Sequence, residues 1–222
     1  MKSLKIVFLA VAFLPICSFA DGFSGPYVGA AVGGAFATEK GTGYDDTTLA
    51  QSGYTHKTEP AGPLLGLKLG YSKLLANKLL LGVEVGYDGR SNKDRAYQKN
   101  NGVVDTGYRK TTTISSSASV LARVGYALTP KTAAYATAGV SAVKVSRKYE
   151  TVGVDSESHG TTKSGYVVGV GVEHLLSKNL STGLEFRHSD YGKSKVNVAN
   201  WNEFYKERLT DHSVRVGVSY RF

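Results

Sequence analysis

Apolar and polar side chains alternate with a period of two along nearly the whole chain. The clearest run closes it: Val214, Val216, Val218, Tyr220 and Phe222 share one face, and Ser213, Arg215, Gly217, Ser219 and Arg221 share the other. Successive side chains of a strand point to opposite faces, so this segment is a strand with one apolar face that ends in aromatics. The same dyad sets Leu65, Leu67, Leu69 and Tyr71 against Gly66, Lys68 and Gly70, and Leu79, Leu81, Val83, Val85 and Tyr87 against Leu80, Gly82, Glu84 and Gly86. Ile114, Ala118, Val120, Ala122, Val124 and Tyr126 oppose Ser115, Ser117, Ser119, Leu121, Arg123 and Gly125. Tyr166, Val168, Val170 and Val172 oppose Gly165, Gly169, Gly171 and Glu173; Thr182, Leu184 and Phe186 oppose Ser181, Gly183, Glu185 and Arg187. A first strand over about Pro26–Ala37 sets Val28, Ala30, Val32 and Phe36 against Gly29, Ala31 and Gly33. One more, over Thr132–Lys148, has a split phase: Val140 and Ala142 suggest one face, Val143 and Val145 the other, which a bulge near Ala142 would reconcile.

The connections alternate in length. Short ones fall at Ser72–Lys78, Thr129–Lys131 and Ser177–Asn179; long polar ones fall at about Thr38–Glu59, Ser91–Lys110, Tyr149–Lys163 and Tyr191–Thr210. Short turns on one side and long loops on the other are the habit of barrels in an outer membrane. Tyr27, Tyr71, Tyr87, Tyr126, Tyr166 and Tyr220 stand at strand ends, where an aromatic girdle belongs. A strand in lipid cannot leave backbone groups unpaired, so the sheet must close on itself. The expected fold is all-β: a closed antiparallel transmembrane β-barrel of eight strands, with short periplasmic turns and four long extracellular loops.

The start of the chain stands apart. Lys2 and Lys5 precede an apolar run, Ile6–Ile16, and Ser18-Phe19-Ala20 places small residues where a signal peptidase reads. Cleavage before Asp21 is expected, with residues 1–20 a signal peptide and 21–222 the barrel domain. An uncleaved anchor is disfavoured because the run is too short to span a bilayer as a helix. Lipidation at Cys17 is disfavoured because Ile16 before it is not small. Cleavage removes the only cysteine, so the mature chain makes no disulfide, and the formal charge of +9 falls to about +7. The mean hydropathy of −0.17 is unremarkable for a barrel, in which only alternate residues meet lipid.

Three stretches resemble small OmpA/opacity-type outer-membrane barrels, a family that includes porin-like surface antigens. They are Gly25-Pro26-Tyr27-Val28-Gly29 near the mature start, Gly165–His188 and Ser213–Phe222. The resemblance implies an envelope protein of the outer membrane: a structural protein, a surface antigen, an adhesin, or at times a haem binder or small channel. It also implies that Tyr220 and Phe222 form the terminal signal read by the barrel-assembly machinery. The peptidoglycan-binding domain of larger members is not seen, so a direct tether to the cell wall is not expected.

Chemistry is concentrated on the inward face. Lys68, Glu84, Arg123, Glu173 and Glu185 lie about four or five residues above the short turns, and Arg187 and Arg215 about seven, a spread of roughly 10 Å at about 3.3 Å per residue. Burial demands that such charges pair, so a polar plug is expected rather than an ion path. His188 and His212 share the outward phase on neighbouring strands and could meet at the outer rim, near Ser189, Asp190, Asp211 and Ser213. The His-x-Ser spacing of barrel enzymes that deacylate lipopolysaccharide is missing, and no catalytic residue, metal ligand or cofactor is assigned. His56 and His159 sit in different long connections and form no recognised ligand spacing, though haem is one candidate partner. His174 reads as an interfacial residue near the periplasmic end. Lys93, Arg95, Lys99, Arg109 and Lys110 read as a solvated loop, able to touch lipopolysaccharide phosphates. The expected partners are outer-membrane lipids, lipopolysaccharide, the assembly machinery and host surface molecules. The membrane setting argues against nucleic acid despite the positive charge. A structural and display role is expected; the alternatives are a narrow solute channel and a loop-based adhesin or haem receptor.

Overall fold

The computed structural model describes residues 22–222, so the expected signal peptide lies outside the described residues. Strands β1 (Gly25–Asp45), β2 (Gln51–Thr58), β3 (Ala61–Leu74), β4 (Leu79–Asn100), β5 (Val103–Thr129), β6 (Thr132–Thr151), β7 (Asp155–Leu175), β8 (Leu180–Val198) and β9 (Glu203–Arg221) form one antiparallel sheet. β1 pairs with β9 from Tyr27↔Arg221 to Asp45↔Glu203, which closes the ring. Both β2 and β3 lie between β1 and β4, one above the other: β3 pairs with the lower half of β1, and β2 with its upper half. Pro60, which has no N–H to give a ladder, separates them, and its carbonyl accepts from Ala37 N–H at 3.0 Å. The barrel therefore has eight staves, the second of which is broken once.

The four long polar connections lie together on one side, as expected, but they are mostly strand. β4 and β5 continue through Ser91–Lys110 and turn only at Asn101 and Gly102, both at positive φ (49° and 86°) as a two-residue hairpin turn requires. β8 and β9 meet at a single 3-10 turn, Ala199–Trp201, closed by Asn202 in the left-handed region. Their polarity does not make them loops. Above the membrane both faces of a strand can be polar, so the apolar alternation fades while the ladder continues. A bilayer needs only about 9–11 residues of a tilted strand, yet β5 runs 27 and β4 runs 22. About half of the cylinder stands outside the lipid.

The outer face marks the boundary. Below it Leu65, Leu67, Leu69, Val83, Val85, Val120 and Val124 are exposed, an apolar band that water would not tolerate. Above it the exposed outward residues include Lys40, Lys57, Lys93, Arg95, Lys148 and Arg208. Tyr71, Tyr87, Tyr126, Tyr166 and Tyr220 are exposed at the edges of the band, but Tyr27 is 2% exposed and points inward, so it is not part of the girdle. Gly70 makes room for it: a Cβ there would lie 2.5 Å from the Tyr27 hydroxyl.

The split phase of Thr132–Lys148 resolves differently from the expected bulge. β6 pairs with β7 without a shift, and its odd-numbered residues from Ala133 to Tyr149 face inward throughout. The irregularity sits in β5, where Ile114 pairs with Val145 and Ser116 with Lys144, leaving Ser115 unpaired. That extra residue flips Ile114 from the expected outward face into the barrel, where it is fully buried beside Val143 and Val145.

Candidate functional site

The interior is stratified. At the periplasmic end Phe23, Leu80, Ala127, Ala133 and Leu175 pack into an apolar floor. Above it lies a charged layer. Arg187 donates to Glu84 and Glu185, each at 2.7 Å, and Lys68 reaches Glu84 at 3.5 Å. Tyr27 donates to the same Glu84 at 2.9 Å. Arg123 binds Glu173 while lying 3.6 Å over the Tyr135 ring, and Arg221 binds Glu173 at 2.7 Å. Arg215 pairs with Asp88 at 3.0 Å. The seven charged residues expected in the lumen all lie in this layer, but in three groups. Glu185 takes Arg187 rather than Arg123 or Arg215. Asp88 and Arg221 complete the groups; Arg221 was on the inward face and Asp88 continued the phase of Glu84 and Gly86. Among these side chains lies a void of about 30 Å³, and a smaller one of about 10 Å³ adjoins it at Asp88, Arg187 and Arg215, room for a very few waters.

An apolar layer follows: Ala37, Ile114, Val143, Val145, Tyr191 and Leu209. Beside it Arg90 donates to Asp211 at 2.6 Å.

A second charged layer lies higher, in the part of the barrel beyond the apolar band. Glu39 accepts Arg147 Nε at 2.7 Å, and Lys110 Nζ bridges Glu39 and Glu207, each at 2.8 Å. Tyr149 donates to Glu207 at 2.6 Å. His56 Nε2 lies 2.8 Å from both Lys110 Nζ and Glu207 Oε1, so it can accept from the ammonium or donate to the carboxylate, but not both. Burial, followed by the nearby Lys110 charge, lowers its pKa, and Glu207 opposes them. Glu39, Lys110, Arg147 and Glu207 are all 0% exposed. Lys110, expected in a solvated loop, is instead at the centre of this cluster. Gly41 is required beside it, because a Cβ there would fall 2.2 Å from His56 Nε2. The sequence carried a signal for this layer: Glu39 continues the phase of Ala35 and Ala37, Arg147 that of Val143 and Val145, and Glu207 that of Leu209 and Asp211. Treating those stretches as loops hid it.

At the extracellular mouth the 3-10 turn brings Trp201 back over the lumen. Its indole N–H donates to Thr151 Oγ1 at 2.9 Å, and its ring stands edge-on to Tyr108 and Tyr149 at 5.1 and 5.6 Å between centroids. Trp201, Tyr108 and Thr151 border an open cavity of about 470 Å³.

The remaining histidines stay apart from the lumen network. His188 and His212 pair across β8 and β9, with ring centroids 4.6 Å apart, on the outer face. Ser189, Asp211 and Ser213 are buried on the opposite face, and Asp190 is taken by Arg208 at 2.8 Å, so no nucleophile joins the imidazoles. His159 binds Glu157 at 2.9 Å; it and His56 flank Tyr149, each ring 6.1 Å from it. His174 contacts Thr132 Oγ1 at 3.0 Å. Among the described residues no three His, Cys, Asp or Glu side chains form a group able to hold a metal.

A closed antiparallel ring with an apolar outer band, exposed aromatics at the band edges and a charged interior defines an outer-membrane β-barrel. The comparisons place the chain more closely. The family profile of the outer membrane protein beta-barrel domain matches residues 6–222, and the chain belongs to that family. It is 29% identical over 161 residues to the 31 kDa outer-membrane immunogenic protein of Brucella melitensis biotype 1, a match covering 71% of this chain; the chain spans only 65% of that relative's length. It is 33% identical over 106 residues to the 22 kDa outer membrane protein of Rhizobium leguminosarum bv. viciae, covering 47% of this chain and 46% of the relative. Among solved structures, the outer membrane protease OmpT of Escherichia coli aligns with a TM-score of 0.58 at 11% identity, covering 94% of this chain and 99% of that one. The outer membrane protein OprG of Pseudomonas aeruginosa aligns with a TM-score of 0.55 at 14% identity, covering 92% and 99%. These two likenesses concern the fold alone. The protein is an outer-membrane barrel of a surface-antigen family.

Proposed function

We propose that the exported chain, freed of residues 1–20, is a sealed, non-enzymatic barrel that serves the envelope structurally and displays its tall extension at the cell surface. One observation carries this reading: two charged layers, each internally paired, fill the lumen with an apolar layer between them. An ion crossing the barrel would have to break paired contacts twice and lose its water between them, and the voids beside the lower layer, about 30 and 10 Å³, are too small for a hydrated ion. Purified barrel in planar bilayers should show little steady conductance. Large, stable and reproducible channels would replace this reading with that of a narrow pore. Membrane lipids surround the band, and the outward cations above it suit lipopolysaccharide phosphates.

The same proposal covers the chain end. Tyr220 and Phe222 are exposed on the lipid side with rings 5.2 Å apart, a pattern suited to the assembly machinery. Deleting Phe222 should lower the yield of heat-modifiable barrel in cells; unchanged abundance would remove that role.

A further inference from the structure

The mouth cavity is a different kind of place from the lumen beneath it. Tyr54, Tyr108 and Trp201 form its walls, and Tyr205 and Gln98 lie at its base. The aromatic rings meet edge to face rather than flat: Tyr54 to Tyr108 at 5.5 Å, Tyr108 to Trp201 at 5.1 Å, and Trp201 to Tyr205 at 6.1 Å. In each edge-to-face pair one ring keeps its faces clear of that partner, and an aromatic face carries partial negative charge that attracts polarised C–H groups. At about 470 Å³ the cavity lies within the usual range of small-molecule sites, roughly 300–1,000 Å³.

Its polar groups are short and mostly uncharged. Gln98 is 0% exposed, and its side-chain amide is only half used. The Tyr205 hydroxyl lies 2.6 Å from Glu203 and 3.0 Å from Gln98. It has one proton to donate, and the shorter contact is to the carboxylate. Whichever way the Gln98 amide is turned, one of its polar ends lacks a partner at the base of an open cavity. Leaving a buried polar group unpaired is costly, and a ligand hydroxyl would satisfy it. Asn200 and Thr151 add further donors and acceptors at the rim.

From this we infer that the mouth of the barrel is a binding site for a neutral sugar residue. A pyranose offers an apolar C–H face to set against Trp201 or Tyr108 and a ring of hydroxyls to pair with Gln98, Asn200 and Thr151. An anionic ligand suits it less, because the one charged group lining the cavity is the Glu203 carboxylate, and no Lys or Arg lines it. A cation would have to compete with Tyr205 for that carboxylate. The inference rests on the reading that this mouth is displayed outward. The sugar could end a glycan of another cell or the cell's own lipopolysaccharide chains.

Trp201 is the only tryptophan in the chain, so its emission reports directly on this cavity. The test uses the folded barrel in nanodiscs, which avoids detergents with sugar headgroups. Emission is followed against glucose, galactose, N-acetylglucosamine and lactose, and then against two larger probes: a neutral host-type oligosaccharide and the delipidated polysaccharide of the source cell. At least one neutral sugar should give a saturable shift, and Gln98→Leu should weaken it at least tenfold. A stronger response to one of the larger probes identifies the source. Should Gln98→Leu fail to fold, Asn200→Ala keeps the question open to measurement, since Asn200 lies at the exposed rim and its side-chain hydrogen bonds go to Asp155; it should weaken binding several-fold with unheated gel mobility unchanged. No saturable shift with any sugar, or undiminished binding by both variants, overturns the inference. A barrel that is silent in bilayers yet blind to sugars overturns this inference alone; one that conducts yet binds sugar overturns only the sealed-barrel reading.

Discussion

The two charged layers inside this barrel are built differently. The lower one sits within the lipid-spanning zone, holds an excess of cations among its named members and keeps a void of about 30 Å³ beside Lys68, Glu84 and Arg187. The upper one stands outside the apolar band yet is the drier of the two: Glu39 and Glu207 match Lys110 and Arg147, and none of the four has any exposed surface. Position relative to the membrane does not set how dry a lumen is; side-chain volume does. Tyr149 and Tyr205 crowd the upper layer, whereas glycines such as Gly66, Gly86 and Gly217 line the lower one. A charge with a water beside it tolerates losing its partner better than one sealed among rings.

That contrast can be broken most sharply at Glu207. Glu207→Gln leaves Lys110 with only Glu39, which it must share with Arg147, and should destabilise the barrel by about 3–5 kcal/mol in urea unfolding followed by Trp201 emission. Lys110→Met combined with Glu207→Leu should cost much less than the two single changes together, because no charge is then stranded. Additive losses would mean that the pair is not coupled. In the lower layer Glu185→Gln should cost less, about 1.5–3 kcal/mol, since Arg187 keeps Glu84 and water can approach. A control at Glu59, paired with Lys57 on the surface, should change stability by no more than about 0.5 kcal/mol. If Glu185→Gln proves as costly as Glu207→Gln, the lower layer is as dry as the upper.

His56 gives a smaller effect with a defined sign. Its folded-state pKa is lowered, so the unfolded chain binds a proton first. Stability from this group is then fully present above about pH 6.5 and falls as the pH drops below it. His56→Gln should remove that part of the acid dependence; an unchanged profile would show that the imidazole is not held neutral. Least should happen at the outer rim. His188→Ala with His212→Ala should shift stability by less than about 0.5 kcal/mol and leave the acyl content of lipopolysaccharide unaltered in mass spectra. A deacylated product that depends on His188 would make the protein an enzyme.

The lipid-spanning half of the fold was legible because solvent forces a contrast there: one face must be apolar and the other cannot be. Val214 to Phe222 needed nothing more. In the extension that contrast disappears: Glu207 lay in a stretch read as a connection although its phase already pointed inward, and Lys110 read as solvated because it faces inward only through the phase flip at Ser115. The Ser115 bulge was hidden for a related reason. Ile114 suits a lipid-facing position as well as a buried one, so its type could not say that the phase had flipped. Trp201 and Gln98 lie some 100 residues apart in sequence and meet only because the ring closes, which no local pattern encodes.

The break at Pro60 gives the cylinder a weak line. Above it β2 stays laddered to β1, but it meets β4 only at Tyr54↔Asn100 and Thr55↔Lys99. Between His56 and Thr58 on one side and Asp94 and Gln98 on the other, the wall is held by side chains, among them Thr58 against Thr112 and Asp94 against the Glu59 N–H. Peptide groups that face this gap lack the cooperative ladder that slows hydrogen exchange elsewhere. Under heat or pulling force the wall should part first along this line, with the lipid-spanning staves still closed, so that the protein yields from the outside inward.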